Sequence, residues 1–116
     1  MFEITVEDSF SAAHRLLNYH GKCENPHGHN WIVKVSLSGD TLDDAGMLVD
    51  FKVVKKFLKE TLEMLDHKDL NEVFQTSPSS EHIAKFIYED MKKKLQNVDR
   101  VSVFETPTSC ATYFEK

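Results

Sequence analysis

Three of the six histidines in this 116-residue chain have the spacing of a metal site. His27 and His29 are two residues apart in a segment that alternates like a β-strand, so both imidazoles leave the same face. His14 ends an earlier alternating segment and lies near them if the two strands pair across the intervening turn. Three neutral imidazoles with a fourth position open are typical of catalytic zinc. Ordinary surface or hydrogen-bonded histidines show the same short spacing, so spacing by itself leaves both interpretations open.

Cys23 precedes His27 by four residues, and two chemical roles compete for it. As a fourth ligand it would close the metal site and make that site structural. Beside a dication and several imidazoles, its thiolate form is favoured, and it could then act as a base or nucleophile. The spacing does not decide between these roles. Cys110, on a terminal β-like segment, is expected to contribute packing, and both cysteines are expected to be thiols.

Two carboxylates are further candidates for chemistry. Asp66 directly precedes His67, and a carboxylate orients an imidazole and raises its basicity when the two side chains meet. Adjacent residues on regular structure point apart, so this pair alone is expected on solvated surface. Glu105 shares a face with Val101 and Val103, where a carboxylate needs donors to offset its desolvation. An internal cation or a ligand with an amino-pyrimidine edge would supply them, and the sequence alone favours the internal one.

The elements that carry these residues follow the order ββααββ. Alternation predicts strands and apolar stripes at helical spacing predict helices. We expect Asp50 to cap the first helix and Ser77-Pro78 to start the second. The order predicts an α+β fold, with an antiparallel four-stranded sheet and both helices on one face, in one domain over residues 1–116. The predicted strands are 2–14, 27–38, 101–105 and 111–114, and the helical stripes run from Phe51 to Leu65 and from Ile83 to Leu95.

Composition excludes several classes of protein. The net charge of −5 and the pI near 5.6 argue against a general nucleic-acid binder, which normally carries a basic surplus, but permit a small phosphorylated substrate. The apolar stretches are far shorter than the roughly 20 residues that span a bilayer, so no membrane association is expected. The N-terminus lacks the basic start and apolar run of a signal peptide, which favours a cytoplasmic location.

Five motifs in order along the chain resemble the 6-pyruvoyl-tetrahydropterin synthase / 6-carboxytetrahydropterin synthase family. The resemblance covers nearly the whole chain, and five ordered matches make chance similarity a poor explanation. The motifs are Phe10-Ser-Ala-Ala-His14, Cys23-x-x-x-His27-Gly-His29-Asn30, Leu65-Asp-His67-x-x-Leu-Asn71, Ser79-Ser-Glu81-His and Val103-Phe-Glu105-Thr106.

The resemblance implies the tunnelling fold, in which oligomerisation joins the sheets into a barrel and active sites form between subunits. A homo-oligomer is therefore expected, with a hexamer as the favoured assembly. The resemblance also implies a role for each candidate residue. Zinc would bind His14, His27 and His29. Cys23 would be the base that takes one proton from the substrate, and Asp66 and His67 would relay the other proton. Glu105 would hold the pterin ring in a pocket with Ser79, Ser80 and Glu81, and Arg15 and Lys22 would contact the phosphates.

The family substrate is 7,8-dihydroneopterin triphosphate. Three residues separate Cys23 from His27, which is similar to the bacterial branch that forms 6-carboxy-5,6,7,8-tetrahydropterin, acetaldehyde and triphosphate for queuosine and other 7-deazapurines. The pyruvoyl-forming branch usually has a longer insert, and a folate branch has glutamate in place of the cysteine. Glu24 directly follows Cys23, so the folate-branch activity stays open. A non-catalytic module with a structural His3Cys zinc is the alternative from another class, but it needs neither Asp66-His67 nor Glu105.

Overall fold

Alternation of apolar and polar side chains gives the chain two long strands at its start. The computed structural model describes residues 1–21 and 24–116, and in it β1 spans Phe2–His14 and β2 spans His27–Gly39. The two strands pair antiparallel in unbroken register from Phe2 opposite Gly39 to His14 opposite His27. The predicted pairing across the turn is therefore present, and β2 ends one residue later than expected.

Two further strands complete one antiparallel sheet in the order β1-β2-β3-β4. β3 spans Val98–Thr106 and β4 spans Ser109–Phe114. β3 begins three residues earlier than predicted, and its first residue, Val98, is buried in the core. The register of β3 against β4 shifts between Phe104 and Thr106, which leaves Glu105 at a β-bulge.

The two long helices occupy the predicted segments. α1 spans Phe51–Glu63, and the side chain of its N-cap, Asp50, accepts a hydrogen bond from the Lys52 backbone N–H, as expected. A four-residue helix, α2 (Leu70–Val73), was not predicted, because it is too short to show a helical period. α3 spans Ser80–Lys94.

The predicted start of α3 at Ser77-Pro78 is wrong by two residues. The N-cap is Ser79, whose hydroxyl accepts a hydrogen bond from the His82 backbone N–H. The Ser77 hydroxyl instead accepts from the Leu17 backbone N–H at 2.9 Å. The Ser77 hydroxyl, which the sequence pattern predicts as the helix cap, thus binds a segment 60 residues away.

The helices pack on one face of the sheet, as the sequence predicts. The innermost layer comes from alternate residues of β2, where Trp31, Val33, Val35 and Leu37 are fully buried. α1 packs against β1, and α3 packs against β3 and β4. Within the described part of the chain, no helix is both long and apolar enough to cross a membrane.

Two aromatic residues expected in the apolar stripes are half exposed. Phe2 and Phe51 lie at the far end of β1 and at the start of α1, where they line an open cavity of about 250 Å³ with Met47 and Leu48. The periodic pattern continues to the ends of both elements, but the helix and strand no longer cover each other there.

A polar cluster joins α1 to α3 inside this packing. Thr61 is fully buried, and its hydroxyl donates to a carboxylate oxygen of Asp90 at 2.6 Å. The ammonium of Lys94 lies 3.1 Å from the same oxygen and donates to the Thr61 hydroxyl at 3.0 Å. Burial raises the pKa of Asp90, but the hydrogen bonds from Thr61 and Lys94 outweigh that effect, so the pKa lies below its ordinary value.

We expect Asp90→Asn to lower the free energy of unfolding at pH 7 by about 1–2 kcal/mol, since it removes a charged partner of Thr61 and Lys94. A carboxyl whose folded-state pKa is depressed stabilises the protein above its unfolded pKa, near 4, and loses that contribution as pH falls through the lower folded value. Urea unfolding at pH 7 and near pH 3 measures the loss of stability and its dependence on pH. The exposed Glu63→Gln on α1 is the control. A deficit in Asp90→Asn that is independent of pH contradicts this account.

Candidate metal centre and active site

The register of β1 against β2 brings three imidazoles together at one end of the sheet. His14 lies opposite His27, and Ala12 lies opposite His29, so the rings share the face that carries the core. The ring centroids of His14 and His29 are each 4.7 Å from that of His27, and they are 5.3 Å from each other. His14 is fully buried, while His27 and His29 are partly exposed.

Glu105 is the fourth group of this cluster. Its Oε1 lies 3.1 Å from His14 Nε2 and 3.1 Å from His29 Nε2. One ligand atom from each of the four residues lies within 4.8 Å of all the others. The β-bulge explains why the Glu105 side chain points toward the imidazoles, because β3 pairs with β4 through Phe104 and Thr106 but skips Glu105.

Backbone carbonyls set the tautomers of two rings. His14 Nδ1 lies 2.8 Å from the Pro78 carbonyl oxygen, and His27 Nδ1 lies 3.1 Å from that of Asn25. A carbonyl only accepts, so each Nδ1 carries the proton and donates it. The Nε2 of each neutral ring is then left with a lone pair for a metal ion, in the arrangement that outer contacts usually impose on ligating histidines.

His29 shows why the cluster suits a cation. Burial lowers its pKa, the Glu105 carboxylate opposes that effect, and the neighbouring His27 and His14 lower it further. Its Nε2 is buried and, among the described residues, has no hydrogen-bond partner, although Glu105 Oε1 is close enough for an ion pair. Three imidazole nitrogens and a carboxylate oxygen that face one another form a donor set that fits zinc.

The Asp66 and His67 side chains are exposed, as the sequence alone predicts, but they meet, whereas adjacent residues on regular structure point apart. His67 Nδ1 lies 2.8 Å from Asp66 Oδ2, and the His67 backbone has φ of 58°, in the left-handed region. That conformation turns the chain so that the two side chains face each other. The pKa of Asp66 is lowered, first by the hydrogen bond from the Ser11 backbone N–H and then by that from the His67 side chain.

The same segment covers part of the open edge of β1. The Ser11 carbonyl accepts from the His67 backbone N–H, Ser11 N–H donates to Asp66 Oδ1, and Ala13 N–H donates to the Lys68 carbonyl. This edge leads directly to His14. Asp66 and His67 are therefore anchored beside the strand that carries a cluster imidazole, although they are not among the four groups of the cluster.

A cavity of about 140 Å³ adjoins Glu105. It brings together three of the predicted pocket residues, Ser80, Glu81 and Glu105. The predicted pocket residue Ser79 does not line it, because its hydroxyl caps α3. Cys110 was expected to pack, but it is an exposed free thiol that lines this cavity.

The remaining sequence candidates fall between β1 and β2 in the sequence. Arg15 is exposed, and the Asn71 side chain holds its backbone by accepting from its N–H at 2.8 Å and donating to its carbonyl at 2.9 Å. Lys22 and Cys23 lie outside the described residues. Glu24 Oε1 accepts from the Leu16 backbone N–H at 3.1 Å and lies 3.7 Å from His27 Nδ1.

Sequence reasoning missed several groups that support the site. The Pro78 and Asn25 carbonyls belong to the backbone, so side-chain patterns carry no signal for them. Asn71 has such a signal, because it closes the Leu65–Asn71 motif, yet no role was assigned to it. Glu105 was assigned to a ring pocket and not to the imidazoles, since its bulge is not readable from the sequence.

Comparison with known proteins gives a consistent answer. Residues 3–116 match the family model described as 6-pyruvoyl tetrahydropterin synthase. The 6-carboxy-5,6,7,8-tetrahydropterin synthase of Synechocystis is 38% identical, across 98% of this chain and 94% of its own. The enzyme of that name from Bacillus subtilis is 35% identical, across 99% and 86%. The human 6-pyruvoyl tetrahydrobiopterin synthase is 33% identical, across 96% and 90%.

Solved structures agree with these sequence matches. The 6-pyruvoyl tetrahydropterin synthase of Caenorhabditis elegans superposes with a TM-score of 0.84 at 34% identity, covering all of this chain and 98% of its own. The Plasmodium vivax enzyme has the same TM-score at 22% identity, across 98% and 97% of the two chains, which supports the fold. The predicted α+β tunnelling fold is confirmed, and the chain belongs to the 6-pyruvoyl tetrahydropterin synthase family.

Proposed function

We propose that this lyase is zinc-dependent and converts 7,8-dihydroneopterin triphosphate to 6-carboxy-5,6,7,8-tetrahydropterin, with release of acetaldehyde and triphosphate. The observation that carries the proposal is the cluster of His14, His27 and His29 beside a cavity lined by Glu105. Bacterial relatives named for the carboxy product are 35% and 38% identical over nearly the whole chain. The product would serve queuosine and other 7-deazapurines.

The metal would be held by the three imidazoles. When bound, zinc polarises the oxygens of the substrate side chain and so acidifies the neighbouring C–H. Glu105 and Glu81, with Ser80, would orient the ring by accepting hydrogen bonds from its amino and N–H groups. Glu105 has a free side toward the cavity, since its side chain is 34% exposed.

Cys23 is proposed as the base that takes the side-chain proton. Asp66 and His67 would handle the other proton, which the contact between their side chains supports. Asp66 Oδ2 accepts from His67 Nδ1, so His67 Nε2 is free to exchange a proton with the substrate. The lowered pKa keeps Asp66 ionised and able to hold this tautomer near neutral pH. Arg15 and Lys22 are proposed for the phosphates, and Arg15 is exposed and held by Asn71.

We also propose a homo-oligomer, in the form of a hexamer, with active sites shared between chains. The edge strand β4 and the part of edge strand β1 that the 66–68 segment leaves uncovered support this, because open strand edges favour pairing with another chain. The Asp66-His67 pair lies outside the imidazole cluster of its own chain, so it could contribute to the active site of a neighbouring chain.

The pyruvoyl-forming and folate-branch activities are the alternative reactions. The human relative, named 6-pyruvoyl tetrahydrobiopterin synthase, is nearly as similar as the bacterial ones, so identity does not separate the branches. Product analysis separates these branches. We expect zinc-loaded protein to form 6-carboxytetrahydropterin and stoichiometric acetaldehyde, as separated by chromatography. A pyruvoyl or hydroxymethyl pterin as main product would contradict the assigned branch, and no turnover would contradict the activity.

His27→Ala should lose both bound metal and turnover in the same assay, because two imidazoles hold zinc poorly. Elemental analysis measures the metal content of each variant. His82→Gln is the matched control, since His82 is exposed and contacts the Ser77 carbonyl instead of the cluster. Wild-type protein that is free of divalent metal and active in the presence of chelators would reject the metal site.

Replacement of Cys23 distinguishes the base from a structural ligand. As the base, Cys23→Ala should retain its zinc and its stability while turnover falls about a thousandfold, or roughly 4 kcal/mol of barrier. As a fourth ligand, the same change should weaken metal binding and destabilise the fold, which would support the non-catalytic His3Cys alternative. Zinc stoichiometry, thermal unfolding and turnover are measured on one preparation.

Mixing two inactive variants tests the shared active site. If Asp66 and His67 serve a neighbouring chain, subunits carrying Cys23→Ala and subunits carrying His67→Ala should together recover part of the activity. Recovery follows because some sites in the mixed oligomer contain both intact groups. Subunit exchange is verified by mass spectrometry of the intact oligomers, and absent recovery despite exchange would count against sharing.

A further inference from the structure

We propose that the Glu105 carboxylate has two partners in turn. It binds the resting metal as a fourth ligand beside His14, His27 and His29, and it leaves the metal for the ring when a pterin enters the adjoining cavity. The second half rests on the proposed function, whereas the first half concerns the metal alone.

The position of Glu105 Oε1 supports ligation. This oxygen lies 3.1 Å from Nε2 of both His14 and His29. The Pro78 carbonyl holds the proton of His14 on Nδ1, so Nε2 presents a lone pair to the oxygen. A single proton could satisfy one of these two contacts, whereas one metal ion satisfies both.

The bulge supports exchange. Pairing of β2 with β3 ends at Ile32 opposite Phe104, and β3 pairs with β4 through residues on either side of Glu105. The Glu105 backbone is unpaired with β4 at this bulge, so it can shift with its side chain without breaking a ladder hydrogen bond to that strand. Glu81, at the start of α3, lines the same cavity. Two carboxylates at one cavity repel each other, so Glu105 favours the cation until a ring supplies N–H donors.

This arrangement couples ring recognition to the metal. At rest, three imidazoles and a carboxylate complete a four-coordinate site of the closed kind. Departure of Glu105 opens one position only when its carboxylate has a new hydrogen-bond partner. The metal is then exposed to a substrate whose ring is already bound, and not to solvent in the empty site.

Metal binding without substrate tests ligation. Zn²⁺ affinity is measured by competition with a chromogenic chelator, and the visible spectrum of Co²⁺-loaded protein reports the number and type of ligands. We expect Glu105→Gln to lose about tenfold or more in Zn²⁺ affinity and to change the Co²⁺ spectrum. Glu81→Gln, the control from the same cavity, should stay within about twofold.

Two outcomes overturn ligation. One is a Glu105→Gln protein with the affinity and Co²⁺ spectrum of the wild type. The other is a sulfur-to-cobalt charge-transfer band in the wild type, which would identify Cys23 as the fourth ligand. Far-ultraviolet circular dichroism checks that Glu105→Gln is folded, and Glu105→Ala repeats the measurement without an amide oxygen.

Unsubstituted pterin, which has the ring but no side chain, tests exchange. Added at saturation, it should shift the Co²⁺ spectrum of the wild type but not that of Glu105→Gln, with binding followed by pterin fluorescence. Bound pterin with an unchanged wild-type spectrum overturns exchange, as does an equal shift in both proteins. Failure of pterin to bind the metal-loaded wild type contradicts the ring pocket of the proposed function and the exchange with it, while the substrate-free measurements still decide ligation.

Discussion

The site depends on the register between β1 and β2. Residues alternate between the two faces of a strand, so a slip of one residue would turn His14 away from the other two imidazoles. Apolar contacts just inside the site oppose such a slip. The rings of Phe10 and Trp31 stack with centroids 5.9 Å apart, and the Trp31 indole N–H donates to the Ala12 carbonyl at 3.2 Å. The end of the core therefore determines where the three candidate ligands lie.

Trp31 also sets the environment of the imidazoles. Its ring lies edge-on to His14 and His29, with centroids 4.8 Å and 5.1 Å away, and it is fully buried. Burial against this apolar wall disfavours the imidazolium form of His29 and is the first cause of its lowered pKa. Neutral imidazole is the form that binds a metal, so the packing that stabilises the sheet also favours the metal-binding form of His29.

Sequence patterns predicted the parts of this molecule that repeat regularly. The faces of the two long strands and the stripe of α1 follow from periodicity, and so does the convergence of His14 with His27 and His29 once the strands pair. Two features of the site depend on single irregular residues. The Asp66–His67 contact requires the left-handed backbone of His67, and the aim of Glu105 requires a bulge. Neither conformation has a periodic signature, and a positive φ is uncommon in any residue other than glycine.

Most residues of the candidate site lie at the ends of regular elements. His14 ends β1, His27 begins β2, Glu105 is next to last in β3, and Ser80 begins α3. Backbone groups at such ends are free of ladder or helix partners, so they can hold side chains instead, as the Pro78 carbonyl holds His14. The middle of the sheet supplies stability, and its end tolerates the bulge, the nearby left-handed residue and the carboxylates of the candidate site.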